Sequence, residues 1–372
     1  MLYVFTDTGK YELFESVQVV TTLDSICGKF KFTTSLLDKS PFGIGSYVVI
    51  KNEYDLILCS GYIEKTDGAI TKEKATVTFS GRDLLGDLVD SSVPPDVSSF
   101  SGSITLEKLC DNVMGALNLP GTTFNMSSPT EPFNQDDISS TTFSGKAGAF
   151  LQSYARKRQK FLTTDGKNNL VLFSAPSSPE YEKTLTKDSM LARSFSFDTT
   201  QRFNKITLGS EDNYSASDNA SSVDSTASFI DSEIRESRIL QIESDESMTS
   251  SEISNRAKEE VTIRRGRGTQ FSCVVPSHNY VKGKLIKVDD ELTGVEGVFL
   301  IKSVTYSSSV KENVSKLDLC YPEVYEAVGT RTTKRKSKIV ENFDKFDPSN
   351  VPGVIQGFDG WTMLDSVEGA QL

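Results

Sequence analysis

Histidine occurs only once among the 372 residues, at His278, so any chemistry that needs an imidazole base must use it. It lies in a turn-like sequence between Pro276 and Tyr280, with no nucleophile nearby. A serine triad would need this histidine, and no G-x-S-x-G sequence supplies the serine. No Walker A or dinucleotide-binding fingerprint is present either. We therefore predict that His278 is a loop residue, that the chain is not an enzyme, and that it has no catalytic residue and no cofactor.

Neighbouring carboxylates are the second possible source of chemistry. Glu243, Asp245 and Glu246 are close enough in sequence to be considered as the acid and base of a glycoside hydrolase. They lie in a strongly acidic stretch, where the raised pKa that a general acid needs is hard to arrange. The acidic run 289–291 lacks the glycine and the spacing of a calcium-binding EF-hand loop. We therefore interpret these acids as solvated side chains and predict no metal site.

Cysteine usage and net charge exclude further classes. The five cysteines are odd in number and widely spaced, without a C-x-x-C pair, so we predict small buried apolar residues rather than disulfides or zinc ligands. They are Cys27, Cys59, Cys110, Cys273 and Cys320. The formal net charge of −11 argues against a sequence-specific nucleic-acid binder and against docking on anionic membranes. The sequence contains neither a long apolar run nor a signal peptide, so we expect maturation in a cytoplasm without membrane association.

Strand-like runs dominate two regions and frame a mixed module. Residues 1–90 and 176–326 contain short runs of alternating polar and apolar residues separated by turn residues. Residues 91–175 predict two helices and a hairpin, with Ser103 and Thr105 as candidate helix caps. Residues 211–252 carry eleven acids and two arginines, and we predict an acidic, Ser-rich insertion that is a solvated loop or partly disordered. Another helix is predicted directly after it, because Thr249 to Glu252 forms a capping box.

The last part of the chain, residues 327–372, has the composition of an extension. Five basic residues lie between positions 331 and 338, among them Lys334, Arg335 and Lys336. No aromatic residues interrupt this run, so stacking on nucleic-acid bases is not indicated. It is either a solvated linker or an anchor for an acidic partner. Trp361 either contacts a partner, as tryptophans at interfaces do, or folds back onto the chain.

Four segments, in order, resemble the baseplate hub family of Mu-like contractile phage tails, which is related to late-control proteins and to the N-terminal part of type VI secretion spikes. They are residues 79–92, then 150–155 followed by 162–172, then 195–204, and then 284–304 followed by 319–325. The first contains the motif residues Ser80, Gly81, Arg82, Asp83, Asp87, Leu88 and Val89. Its own sequence reads as a strand followed by a helix, with Asp83 as a cap of the first turn.

The resemblance implies a mainly β chain with an α+β insertion. It implies two tube-like antiparallel β-barrel domains, in residues 1–90 and 176–326, with the α+β module of residues 91–175 beside them. Three chains would place six barrels in a pseudo-sixfold ring. The implied function is a structural hub of a contractile tail baseplate, joining the tail tube to the central spike and forming a channel for DNA ejection. The implied partners are two further copies, the tube protein, the spike and other baseplate proteins, with DNA present only in transit.

Two alternatives follow from the same resemblance. One is a type VI-like spike or late-control protein, although only residues 327–372 remain after the hub region for a needle. The other is a hub with peptidoglycan hydrolase activity, which would require two converging carboxylates in a pocket. The implied location is the tail baseplate of a virion, assembled in the host cytoplasm.

Overall fold

The computed structural model describes most of the chain up to Tyr325. The described residues are 1–7, 9–11, 14–35, 42–72, 74–94, 97, 102–119, 131–134, 145–176, 180–210, 225–244 and 250–325. The extension of residues 327–372, with Lys334, Arg335, Lys336 and Trp361, lies outside them. Within the described residues, no helix combines the length and apolar character needed to cross a membrane.

The first β unit consists of seven strands and a short helix. The strands are β1 (Tyr3–Thr6), β2 (Gly9–Tyr11), β3 (Ser16–Thr22), β4 (Lys29–Ser35), β5 (Tyr47–Lys51), β6 (Ile57–Ile70) and β7 (Ala75–Asp83), followed by α1 (Leu85–Asp90). Side chains alternate along β3 and β4, so that Val17, Val19, Phe30 and Phe32 are buried on one face. This period of two is the pattern that half-buried antiparallel strands produce.

The middle module packs helices on a hairpin. Its elements are β8 (Ser103–Ile104), α2 (Leu106–Ala116), β9 (Phe133–Asn134), α3 (Ala147–Lys157), β10 (Phe161–Thr164) and β11 (Leu170–Phe173). The predicted helices and hairpin are confirmed. Thr105 caps α2, its side chain accepting a hydrogen bond from Lys108 N at 3.3 Å, whereas Ser103 belongs to β8. Leu109 of α2 and Leu151 of α3 lie in one core with Leu88 of α1.

The second β unit carries an inserted layer. Its elements are β12 (Thr184–Thr186), β13 (Ala192–Phe197), β14 (Lys205–Ser210), β15 (Ser225–Ile230), β16 (Ile239–Ser244), α4 (Ser250–Arg267), β17 (Thr269–Val275), β18 (Leu285–Asp290), β19 (Val295–Ser309) and β20 (Asn313–Cys320), followed by a short 3-10 helix (Pro322–Tyr325). The prediction of a mainly β chain is confirmed. Strands β14, β15 and β16 form a separate three-stranded sheet, against which α4 packs.

The interpretation of residues 211–252 as a solvated loop is wrong for the part that the structure describes. Strands β15 and β16 flank β14 on both sides. Ala227 and Ile242 on these strands pack against the apolar face of α4, where Ile253 is buried. The buried Asp231 is ion-paired with two arginines. The high acid content hid a weak alternation of apolar residues, and tertiary packing decided the outcome.

The two β units repeat one strand order. The first unit has the order β3-β4-β7-β6-β5-β1, and the second has β13-β17-β20-β19-β18-β12. In each unit these six strands also follow one another in the same sequence order. The fifth strand of each set in chain order, β6 or β19, is the longest. Its pairing with the strand that follows it in the chain shifts register, at Ile63/Lys65 in β6 and at Ile301/Ser303 in β19. The one difference in direction is that β1 is antiparallel to β5, whereas β12 is parallel to β18.

Candidate functional site

The site with the most distinctive geometry is the junction between the two β units. Strand β19 pairs with β3 in antiparallel fashion over seven residue pairs, from Ser303 opposite Thr22 to Ser309 opposite Ser16. This pairing joins both units into a single 13-stranded sheet. Their apolar side chains form one continuous core, in which Val19 and Val304 are both fully buried. The junction is therefore a packed, hydrogen-bonded part of the fold.

Gly81 of the motif lies where two backbones come unusually close. A Cβ atom at Gly81 would lie 2.0 Å from the carbonyl oxygen of Tyr62 on the neighbouring strand. A Cβ atom at Gly61, on that neighbouring strand, would lie 1.9 Å from the carbonyl oxygen of Arg82. Both distances are far below van der Waals contact. The motif glycine is thus explained by a close backbone approach.

Arg82 ties the β6–β7 hairpin to α1. Its guanidinium donates to both carboxylate oxygens of Glu64 and reaches Asp90 at 2.5 Å. These hydrogen bonds raise the pKa of Arg82 and lower that of Asp90. Of the other motif residues, Leu88 is fully buried, Ser80 and Val89 are half-buried, and Asp87 is exposed.

Asp83 is a buried carboxylate at the end of β7. Oδ2 accepts a hydrogen bond from Gly28 N at 2.9 Å, and Oδ1 accepts one from Leu85 N at 3.2 Å, within the first turn of α1. Burial raises the pKa of Asp83 to about 6, although hydrogen bonds from Gly28 and Thr164 and the charge of Lys282 oppose the increase. The carboxylate thus holds the β3–β4 turn, the start of α1 and the β10–β11 hairpin together.

Lys282 reaches the same region from the loop between β17 and β18. The residue is half-buried, but its ammonium group lies inside the junction. Nζ donates to Thr22 O at 3.0 Å and to Thr163 Oγ1 at 2.6 Å. Burial lowers the pKa of Lys282 to about 8, an effect that the charge of Asp83 opposes. Lys282 therefore connects the second β unit to the first and to the middle module, and the sequence had given no reason to select it.

His278 lies in the same loop between β17 and β18 as Lys282 and has a structural role. Its ring is buried, with Nε2 at 3.0 Å from Ser307 O and Nδ1 at 3.1 Å from Glu53 Oε2. The side chain of Asn52 donates to His278 O at 2.8 Å. Burial favours a higher pKa for Glu53, but bonds from the α-amino group of Met1, from its own backbone and from His278 outweigh it and lower the pKa to about 2. The histidine thus holds the 276–280 turn against the first β unit.

The remaining sequence candidates do not converge on a reactive centre. Asp290 is buried and bonded to Arg193 at 3.0 Å and to the Thr293 hydroxyl at 2.7 Å. Glu291 pairs with Lys187, while residues 245–246 lie outside the described residues. No group of three or more potential metal ligands occurs in the part of the chain that the structure describes. All five cysteines are buried, which confirms that part of the prediction.

A cleft of about 490 Å³ lies between α3, α4 and the β3–β4 turn. Its two acids, Asp24 and Glu260, are both paired with cations. Burial would raise the pKa of Asp24, but hydrogen bonds from Lys302 and Tyr325 outweigh it and hold the pKa below its usual value. Glu260 contacts the guanidinium groups of Arg256 and Arg264. A glycoside hydrolase with two carboxylates needs one carboxyl group with a raised pKa as its acid, and Asp24 has the opposite shift.

The fold described above also occurs in phage tail proteins and in a component of a secretion system. The resemblance seen in the sequence is confirmed. The chain is similar to baseplate hub protein gp44 of Escherichia phage Mu, with 23% identity over 288 residues, which cover 73% of this chain and 72% of the Mu protein. No family model matches the chain.

Solved structures have the same fold. The 43 kDa tail protein of prophage MuSo2 from Shewanella oneidensis superposes with a TM-score of 0.73 at 21% identity, covering 87% of this chain and 99% of that protein. A component of the type VI secretion system of E. coli, itself described as similar to phage T4 tail proteins gp27 and gp5, superposes with a TM-score of 0.51. That alignment has 12% identity and covers 84% of this chain and 75% of the component.

Proposed function

We propose that this chain is the structural hub of a contractile phage tail baseplate and that it acts as a homotrimer. The observation that carries the proposal is the repeated strand order of the two β units, in a chain similar along most of its length to the hub protein of phage Mu. A chain with two equivalent β units can match sixfold symmetry with only three copies. It can therefore connect a sixfold tail tube to a trimeric spike.

In this proposal each β unit is a tube-like barrel, residues 1–90 forming one and residues 176–326 the other, with the module of residues 91–175 beside them. The ring surrounds a channel through which DNA passes during ejection. The excess of acids over bases in the chain suits such a channel, because anionic walls do not bind phosphates. The extension with Lys334, Arg335, Lys336 and Trp361 contacts a neighbouring baseplate protein. The hub performs no catalysis and binds no cofactor.

The test is a mass measurement. Multi-angle light scattering of the purified chain, alone and with its tail tube protein, should give three copies per particle at high concentration. A chain that stays monomeric at every concentration and with the tube and spike proteins added would refute the trimeric hub.

A type VI-like spike is the second candidate, favoured by the superposition with the E. coli secretion component. The two candidates differ in their partners. Co-expression with a phage tail tube protein should yield a complex for a phage hub. Fractionation of the producing cells then distinguishes the two candidate functions, because a phage hub accumulates in particles that contain a tail sheath and DNA-filled heads.

A further inference from the structure

Among the described strands, two edges lack a neighbour that their counterparts possess. Strand β13 forms one end of the 13-stranded sheet and pairs with β17 alone among the described strands. In the second half of β6, all seven residues from Glu64 to Ile70 are exposed, and Ile70 is 75% exposed. The corresponding half of β19 is covered by β3, and its residues Val304 and Ser308 are buried.

The strand repeat relates these edges to the internal junction. The first residue after the register shift is Lys65 in β6 and Ser303 in β19. Lys65 lies opposite Ser80, and Ser303 lies opposite Asp318. Following the pairing outward leads from Ser80 through Lys31 to Gln18 on β3. The same path in the second unit leads from Asp318 through Ser272 to Ser194 on β13. Thus β13 is the counterpart of β3, with Ser194 in the place of Gln18, and β6 is the counterpart of β19.

We propose that the exposed half of β6 in one chain pairs in antiparallel fashion with β13 of a second copy, in the register of the internal β3–β19 junction. Gln18 lies opposite Ser307 within the chain, and the counterpart of Ser307 on β6 is Ala69. The proposal therefore places Ala69 opposite Ser194 of the next copy. The number of copies in the closed ring rests on the trimer proposed above, but the strand pairing follows from the repeat itself.

The side chains in this register are compatible. Lys65 falls opposite Asp198 of the next copy, so opposite charges meet. Gly68 falls opposite Phe195, which packs against the core of its own chain, and the glycine adds no side chain that would compete with that ring for space. Lys65 is also paired with Asp67 on its own strand, at 2.8 Å, and this exposed pair is worth little by itself.

The contact is of the head-to-tail kind. Each copy presents the β6 edge on one unit and the β13 edge on the other, so successive copies use different surfaces. Such contacts produce closed rings when the rotation between copies closes. They would also cover two open strand edges, which soluble proteins otherwise protect against nonspecific pairing.

The experiment is register-specific disulfide cross-linking in the full chain. The variant Ala69→Cys/Ser194→Cys should form intermolecular disulfides on mild oxidation, because directly opposed residues lie about 4.5–5.5 Å apart between Cα atoms, within disulfide range. The native cysteines are buried and do not compete. The matched control is Ile70→Cys/Ser194→Cys, which is slipped by one residue and places the two thiols on opposite faces.

We expect covalent dimers and trimers from the first variant on a non-reducing gel, and at least fivefold less product from the control. Light scattering on the parent runs in parallel. A trimeric parent with no cross-link, or with equal product from both variants, would overturn the proposed pairing and leave the trimeric hub intact. A monomeric parent without cross-links would overturn both. Because Ala69 and Ser194 are exposed, circular dichroism should show both variants folded.

Discussion

Replacing the buried Asp83 by asparagine should change how the stability of the protein depends on pH. Both carboxylate oxygens accept backbone N–H groups, from Gly28 and Leu85. Asparagine has one side-chain oxygen, so one of these donors loses its partner, at a cost of about 1–3 kcal/mol at every pH. The informative quantity is therefore the pH dependence of the difference between the two proteins.

The magnitude and sign of that dependence follow from the raised pKa of Asp83. In the folded protein the pKa is about 6, against an ordinary value of 3.8, a difference that corresponds to about 3 kcal/mol. Because the folded state binds the proton more tightly than the unfolded state, the stabilising contribution is complete below pH 3.8 and is lost as the pH rises through 6. The advantage of the parent over Asp83→Asn should thus shrink by about 2–3 kcal/mol between pH 4 and pH 8.

Urea unfolding followed by circular dichroism at pH 4, 5, 6, 7 and 8 measures this difference, with equal m-values as the check that both proteins unfold alike. In a Lys282→Met background the decline should move to higher pH, because the neighbouring cation that lowers the Asp83 pKa is gone. A difference that is constant from pH 4 to pH 8 would show that Asp83 titrates as an exposed carboxyl, and the buried junction described above would then be incorrect.

Three further outcomes are expected. Gly81→Ala should destabilise the fold by more than about 3 kcal/mol in the same unfolding assay, because its Cβ would lie 2.0 Å from a carbonyl oxygen. The control is Gly115→Ala in α2, where the space around the residue is open, and it should be neutral or stabilising by up to about 1 kcal/mol. Asp231→Asn should lower the free energy of unfolding by about 3 kcal/mol because it leaves Arg202 and Arg265 without a buried partner. The control Glu233→Gln removes an exposed charge from the same arginines and should lower it by under about 1 kcal/mol. Equal losses in the two variants would contradict the burial of Asp231. A thiol reagent should modify none of the five cysteines in the native protein and all five in urea, since all are buried; rapid native labelling would contradict this.

The strands that the sequence predicted correctly have a strong local signal. Strand-like runs predicted within residues 1–90 and 176–326 correspond to strands of the 13-stranded sheet, and the helical spacing of apolar residues predicted α2, because these patterns reflect a single buried face. Strands β15 and β16 were missed because their apolar residues are few and their burial depends on α4, which follows them in sequence. Local composition does not contain that information.

The polar contacts at the junction could not be predicted for a different reason. Glu53 and His278 are separated by 225 positions, and Thr163 and Lys282 by 119. Pairing over such distances depends on how the two β units meet, which no motif encodes. Only the motif around Asp83 gave a local signal, the strand-to-helix transition, and it predicted a cap of the first turn without the partners from the other parts of the chain.

Asp83 and Lys282 illustrate how burial alone can shift a pKa. The pKa is about 6 for Asp83 and about 8 for Lys282. Shifted pKa values of this kind often occur in active sites. A catalytic acid must also reach a substrate, whereas both oxygens of Asp83 already accept backbone N–H groups. The ammonium group of Lys282 is likewise occupied by Thr22 O and Thr163 Oγ1. The pKa shifts therefore reflect the free-energy cost of burying charges where three parts of the chain meet. Such a cost is tolerated when the buried contacts favour one arrangement of those parts over others. In the proposed hub, that selection is the role we assign to these residues.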